Sequence, residues 1–271
     1  MAESPRNSEK EMTFLEHLEE LRWVLVRAAV AVAIATLAAL IGYKYIFDGI
    51  ILAPKSDDFI TNQLLCELGR LMNSPVLCIN SKPLNLINID IAGQFNTHLL
   101  VSFFAGLILS FPYIIYQLWK FIRPALYTEE QNNTRFAVFW ISFLFILGIL
   151  FGYFIIVPLS IQFLGNYSIS DQIVNQINLK SYISTVSSLT LATGLIFELP
   201  VLVFFLTKTG ILTPDFLKKY RRHAFVILMV IAAIITPPDV MSLILVTLPL
   251  WLLFEGSIAV SSKVVKKKPT S

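Results

Sequence analysis

The stretch FAVFWISFLFILGILFGYFIIVP, Phe136 to Pro158, runs for 23 residues without a single charge. As an α-helix it extends about 35 Å, enough to cross the roughly 30 Å hydrocarbon core of a bilayer. Working outward, three further runs are at least as long and predominantly apolar: Trp23 to Phe47, Ile91 to Leu118 and Tyr182 to Thr207. Two shorter runs follow, His223 to Ile235 and Val240 to Phe254. Between them stands Thr236-Pro237-Pro238-Asp239, where two prolines remove donors and forbid a continuing helix, so a tight turn is expected. The expected fold is an all-α polytopic membrane protein with six transmembrane helices. The last two are short and form a shallow hairpin, a buried re-entrant pair being the alternative.

Composition agrees. Hydrophobic residues make up 56% of the 271 and charged residues 14%, where globular domains carry about 25% charge. Mean hydropathy is +0.71. Glu3, Glu9, Glu11, Glu16, Glu19 and Glu20 crowd the first 22 residues, which is unlike a removable signal peptide, so the first apolar run is expected to remain as a span.

Basic residues set the orientation. With six spans, the N-terminal segment, second and fourth loops and C-terminal tail share one side and hold 16 of the 21 Lys and Arg residues. The other side holds Lys44, Lys55, Arg70, Lys82 and Lys180. Positive charge is retained inside, so both termini are expected in the cytoplasm. The expected organisation is a cytoplasmic amphipathic segment (1–22), a six-span membrane domain (23–258) and a basic tail (259–271) suited to an anionic inner leaflet. The first outside loop, about 48–90, is long, polar and proline-containing, and should carry local structure. Both cysteines, Cys66 and Cys78, lie in it, twelve positions apart. In an oxidising compartment paired use predicts a disulfide; two free thiols or a loop metal site are the alternatives.

No hydrolase, P-loop or metalloprotease motif occurs, and His17, His98 and His223 are scattered, so neither enzyme chemistry nor a metal or cofactor site is indicated. Glu198 is the informative residue. It lies about ten residues from the cytoplasmic end of the fourth apolar run, where an exposed charge costs at least ~2.5–3.5 kcal/mol. It must face protein, water or a partner; a protonated carboxyl bonded to a neighbouring helix is the structural alternative. Pro200 beside it predicts a kink. At the cytoplasmic surface, Phe14, Leu18, Leu21 and Leu25 recur at helical spacing after a Thr13 N-cap, with acids on the other face. In the second inside loop, Glu129 and Glu130 stand among Trp119, Phe121 and Tyr127. Two acidic patches beside aromatics suit a basic peptide, arginine gaining most from forked carboxylate contacts.

Four motifs carry a resemblance: His17-Leu18-Glu19-Glu20-Leu21-Arg22; Tyr116-Gln117-Leu118-Trp119-Lys120-Phe121-Ile122-Arg123-Pro124-Ala125-Leu126-Tyr127 with Ser110-Phe111-Pro112 before it; Phe197-Glu198-Leu199-Pro200-Val201; and Thr236-Pro237-Pro238-Asp239-Val240. In this order, over about residues 13–258, they resemble the TatC family, the six-span receptor subunit of the twin-arginine protein translocase. The resemblance implies recognition of twin-arginine signal peptides on folded precursors, and nucleation of an assembly driven by the proton-motive force. It implies a signal-peptide site at Glu20, Phe121 and Glu130, with Glu19 and Arg22 of the same motif. It also implies an intramembrane polar contact at Glu198 and a periplasmic turn at Pro237, Pro238 and Asp239. Implied partners are TatA/TatB-like single-span subunits, the lipid bilayer and further copies of the chain, with no nucleic acid. The long outside loop with its cysteines, and Ser242-Leu243 where Ser-Gln is usual, depart from the pattern. A proton-coupled secondary transporter using Glu198 is the alternative, but no paired broken helices or internal repeats support it.

Overall fold

The computed structural model describes residues 14–56, 58–71, 84–122, 134–170, 172, 175–236 and 240–266. Helix α1, Phe14–Ile41, is continuous. The expected juxtamembrane helix is therefore the first two turns of the first span rather than a separate element, and Thr13 lies outside the described residues. A break at Gly42 leads through single turns (Tyr43–Ile46, Phe47–Ile51, Ala53–Lys55) into α2, Ile60–Leu71. The outside loop thus has the local structure expected of it.

Strand β1, Leu86–Ile87, precedes α3, Gly93–Ile122. The apolar stretch quoted at the outset lies on α4, Thr134–Phe151, which passes through a π turn, Gly152–Ile156, into α5, Val157–Asn166. Strand β2, Ile177–Asn178, pairs parallel with β1 and leads into α6, Leu179–Ile196. Helix α7 is Leu199–Lys208, α8 Pro214–Lys219, α9 Arg221–Ile235 and α10 Val240–Lys266. Among the described residues four helical stretches are long and apolar enough to cross a membrane: Glu16–Ile41, Gly93–Ile122, Ala137–Asn166 and Leu179–Lys208. α9 has only 15 residues. α10 continues as helix to Lys266, well past Phe254, so the first part of the basic tail is helical. The turn residues Pro237, Pro238 and Asp239 lie outside the described residues.

Lipid tails are as apolar as leucine, so dispersion contacts and interhelical hydrogen bonds hold such a bundle together. Ile156, Val157, Ile183, Val186, Val246 and Leu250 form the centre of the core. Phe111 stacks on Phe145, centroids 3.5 Å apart. Buried hydroxyls bond back to their own helices, as Thr193 does to the Leu189 carbonyl and Thr236 to that of Ala232. Backbone vacancies are filled in the same way. Pro158 has no N–H to offer the Phe154 carbonyl one turn earlier, the π turn precedes it, and the Thr61 hydroxyl donates to that carbonyl instead.

Two close helix approaches matter for the sites. A Cβ at Gly106 of α3 would lie 2.6 Å from the Thr36 backbone nitrogen of α1, and one at Gly148 of α4 would lie 2.8 Å from Gly194 Cα of α6. Either position admits only glycine at this separation.

Candidate functional site

At one end of the bundle, the first turn of α1 lies against the last turn of α3. The His17 ring stacks on the Phe121 ring, centroids 4.3 Å apart and planes 18° apart. Glu20 is one turn further along α1 and half-buried, and its Oε2 is enclosed with no hydrogen-bond partner among the described residues. Glu19 and Arg22 are exposed. Beneath Phe121, Trp119 is buried and packs on Phe205 of α7, 4.9 Å between rings, which fixes the end of α3. The C-terminus of a helix carries unpaired carbonyls and about half a negative charge. Glu20 adds a carboxylate beside that terminus. The combination attracts cations and leaves one carboxylate oxygen without a donor, which suits a guanidinium once the site admits it. Of the expected signal-peptide residues, Glu19, Glu20, Arg22 and Phe121 are described and Glu130 lies outside the described residues.

Glu198 occupies a different setting. The fourth span breaks at Phe197-Glu198 and resumes as α7, as Pro200 requires. Phe197 is buried and packs on Phe151, 5.3 Å between rings. Glu198 is half-buried, and both carboxyl oxygens are enclosed without a hydrogen-bond partner among the described residues. Ten residues separate it from Lys208 at the end of α7, about 15 Å along the axis. The break stays close to the bundle because Gly148 lets α4 approach Phe197 and Gly194; a Cβ there would meet Phe197 Cβ at 2.7 Å. Sequence reasoning missed this crossing, although Gly148-Ile149-Leu150-Phe151-Gly152 is a small-xxx-small pattern in an apolar helix.

Two arrangements on the same half of the bundle as Glu20 tie the last helices together. Arg221 of α9 makes a forked ion pair with Glu255 of α10 and lies over the Trp251 ring at 5.7 Å. Thr207 of α7 and Ser261 of α10 share a buried hydroxyl bond of 2.9 Å. At the other end, two open cavities of about 360 and 410 Å³ lie beside the start of α6, lined by residues such as Asn178, Ser181 and Thr185, and touch neither Glu20 nor Glu198. Cys66 sits half-buried on α2, and Cys78 lies outside the described residues. No group of three or more potential metal ligands occurs among the described residues.

Comparison with known proteins places this architecture. A relative from Blattabacterium sp. subsp. Periplaneta americana, a Sec-independent protein translocase protein TatC, is 43% identical over 97% of this chain and 100% of its own length. The Sec-independent protein translocase protein TatCy of Bacillus subtilis is 34% identical, covering 96% of this chain and 93% of its own. Among solved structures, a crystal structure of the twin-arginine translocase receptor TatC superposes with a TM-score of 0.69 at 32% identity, covering 92% of this chain and all of the other. The family model for the Sec-independent protein translocase protein (TatC) matches residues 16–249. With an all-helical membrane bundle, an enclosed carboxyl oxygen beside a stacked ring pair at one end and a broken span carrying another carboxyl, this chain belongs to the TatC family.

Proposed function

We propose that this chain is the receptor and scaffold subunit of a twin-arginine translocase, binding the signal peptides of folded precursors at its cytoplasmic end. One observation carries the reading: the enclosed, unpartnered Oε2 of Glu20 beside the stacked His17–Phe121 pair at the α3 terminus. Glu20 and Glu130 together receive the two arginines, Phe121 packs against their apolar neighbours, and Glu19 and Arg22 line the approach. Six spans with both termini in the cytoplasm of the bacterial inner membrane put this site where precursors are made. The positive-inside distribution supports that orientation. Crosslinking a twin-arginine precursor to the purified protein tests the reading. Adducts at Phe121 that disappear when the arginine pair becomes a lysine pair support it; adducts indifferent to that change overturn it.

The same reading assigns Glu198 to a TatA/TatB-like single-span partner, whose polar group relieves a carboxyl the bundle leaves unpaired. Several copies of the chain assemble in the receptor complex, and Pro237, Pro238 and Asp239 form the periplasmic turn. Membership of a translocase family leaves the proton-coupled transporter reading of Glu198 without support. Cys66 and Cys78 are assigned to a periplasmic disulfide, worth about 3 kcal/mol to the loop in the chain-entropy model. Alkylating intact cells with and without reductant checks it: both cysteines should label only after reduction.

A further inference from the structure

Helix α2 divides its circumference three ways. Asn62 is 1% exposed and donates to the Pro54 and Ser56 carbonyls at 3.2 and 2.7 Å; Gly69, on the same side, is also buried. That face is held by protein. Gln63, Glu67 and Arg70 are exposed and occupy a second arc, suited to water. The third arc, about 80° wide at 100° per residue, presents Ile60, Leu64, Leu68 and Leu71, which are 66, 55, 41 and 78% exposed. Four outward aliphatic side chains at i, i+4, i+8 and i+11 are costly in water and favourable in hydrocarbon.

The anchoring contacts set the depth. The Thr61 hydroxyl bonds the Phe154 carbonyl, and the Phe59 ring stacks on the Phe154 ring at 5.5 Å and meets Tyr153 edge-on at 5.5 Å. The Tyr153 hydroxyl next to it donates to the Ile50 carbonyl, and the neighbouring Ile51 carbonyl accepts from Tyr182, the first residue of the fourth apolar run. The start of α2 is therefore at the level of the acyl chains just below the headgroups. The exposed apolar surface of α4, with Leu147 and Leu150 outward, continues toward it.

We propose that α2 is an interfacial helix embedded edge-on in the bilayer, its Ile60, Leu64, Leu68 and Leu71 face seated among acyl chains, so that the first outside loop is held to the lipid surface. Depth and three-way partition match the 5–10 Å burial of amphipathic interfacial helices. The choice of leaflet rests on the orientation proposed above; the insertion itself does not.

The test places a tryptophan at Leu64, Leu71 or Glu67 (L64W, L71W, E67W) in the full chain, reconstituted in phosphatidylcholine–phosphatidylglycerol vesicles. Added emission is read as the difference from the unsubstituted protein. Lipids brominated near the headgroup end of the chain should quench most of the added emission at 64 and 71, which should be blue-shifted and insensitive to acrylamide. Position 67 should show the reverse. Quenching of 64 and 71 by acrylamide alone puts the helix in water and overturns the proposal. Protection from both quenchers means that a protein surface covers this face, a second copy or a partner helix, and overturns it equally. All three positions are exposed, so folding is not at stake; L68W supplies the same readout should L64W fail to reconstitute.

Discussion

Glu20 and Glu198 are both carboxylates with enclosed, unpartnered oxygens, yet they stand in opposite solvents. Glu20 sits at a helix end, next to water and to a terminus that is itself partly negative. A mobile cation can reach it without crossing lipid. Glu198 sits in a break within a span, about 15 Å from the nearer helix end, where only another membrane-resident group can reach it. On the proposed reading the same functional group serves a soluble basic peptide at one site and a transmembrane partner at the other. The difference lies in access, not in side-chain chemistry.

The separation breaks most readily at the peptide site. Glu20→Ala and Glu130→Ala should each cost about 1.5–3 kcal/mol of precursor binding, roughly tenfold to 150-fold in Kd by titration with a labelled signal peptide. Unchanged affinity in the double variant removes the site. Gly148→Leu probes what holds the Glu198 break in place. Overpacking this crossing should cost about 1–3 kcal/mol in denaturant unfolding in detergent, with precursor binding kept in the folded fraction. Glu198→Ala should weaken partner co-purification by the worth of one interhelical polar contact, about 0.6–2 kcal/mol, and reduce transport. Precursor Kd should stay within about twofold, as for uncoupled sites; a larger loss merges the two sites into one. The smallest effect belongs to His17→Ala. Losing the ring stack on Phe121 should cost about 0.5–1.5 kcal/mol of stability, and His17→Phe should restore it.

How much of this was legible in the sequence varies with the physics behind each feature. Long apolar runs announce spans because nothing else keeps 23 uncharged residues together, and the kink at Glu198 follows from Pro200. Glu20 and Glu198 were readable as carboxylates in unusual places. The pairing of Leu86 with Ile177 was not, since two-residue strands carry no period and the partners lie 91 positions apart. Nor was the role of Thr61: the donor missing at Pro158 is evident locally, but the residue that replaces it comes from another loop. The α2 surface was hidden for a related reason. Its apolar arc reads like a core face until Asn62 and Gly69 show which side is turned inward.

The unbroken course of α1 has a mechanical consequence. From Phe14 to Ile41 it is a rod about 42 Å long, and its close approach to α3 at Thr36 and Gly106 lies near the far end. From that pivot the arm to Glu20 is about 24 Å and the arm to Ile41 about 7.5 Å. A sideways pull of about 3 Å at Glu20 thus becomes a swing of roughly 1 Å at Ile41. There His98 bonds the Leu40 carbonyl at 3.3 Å and its ring lies 4.9 Å from that of Tyr43. With a peptide at the proposed site, a pull at the Glu20 end reaches the opposite end of α1 through a single lever, with a reduction of about three to one.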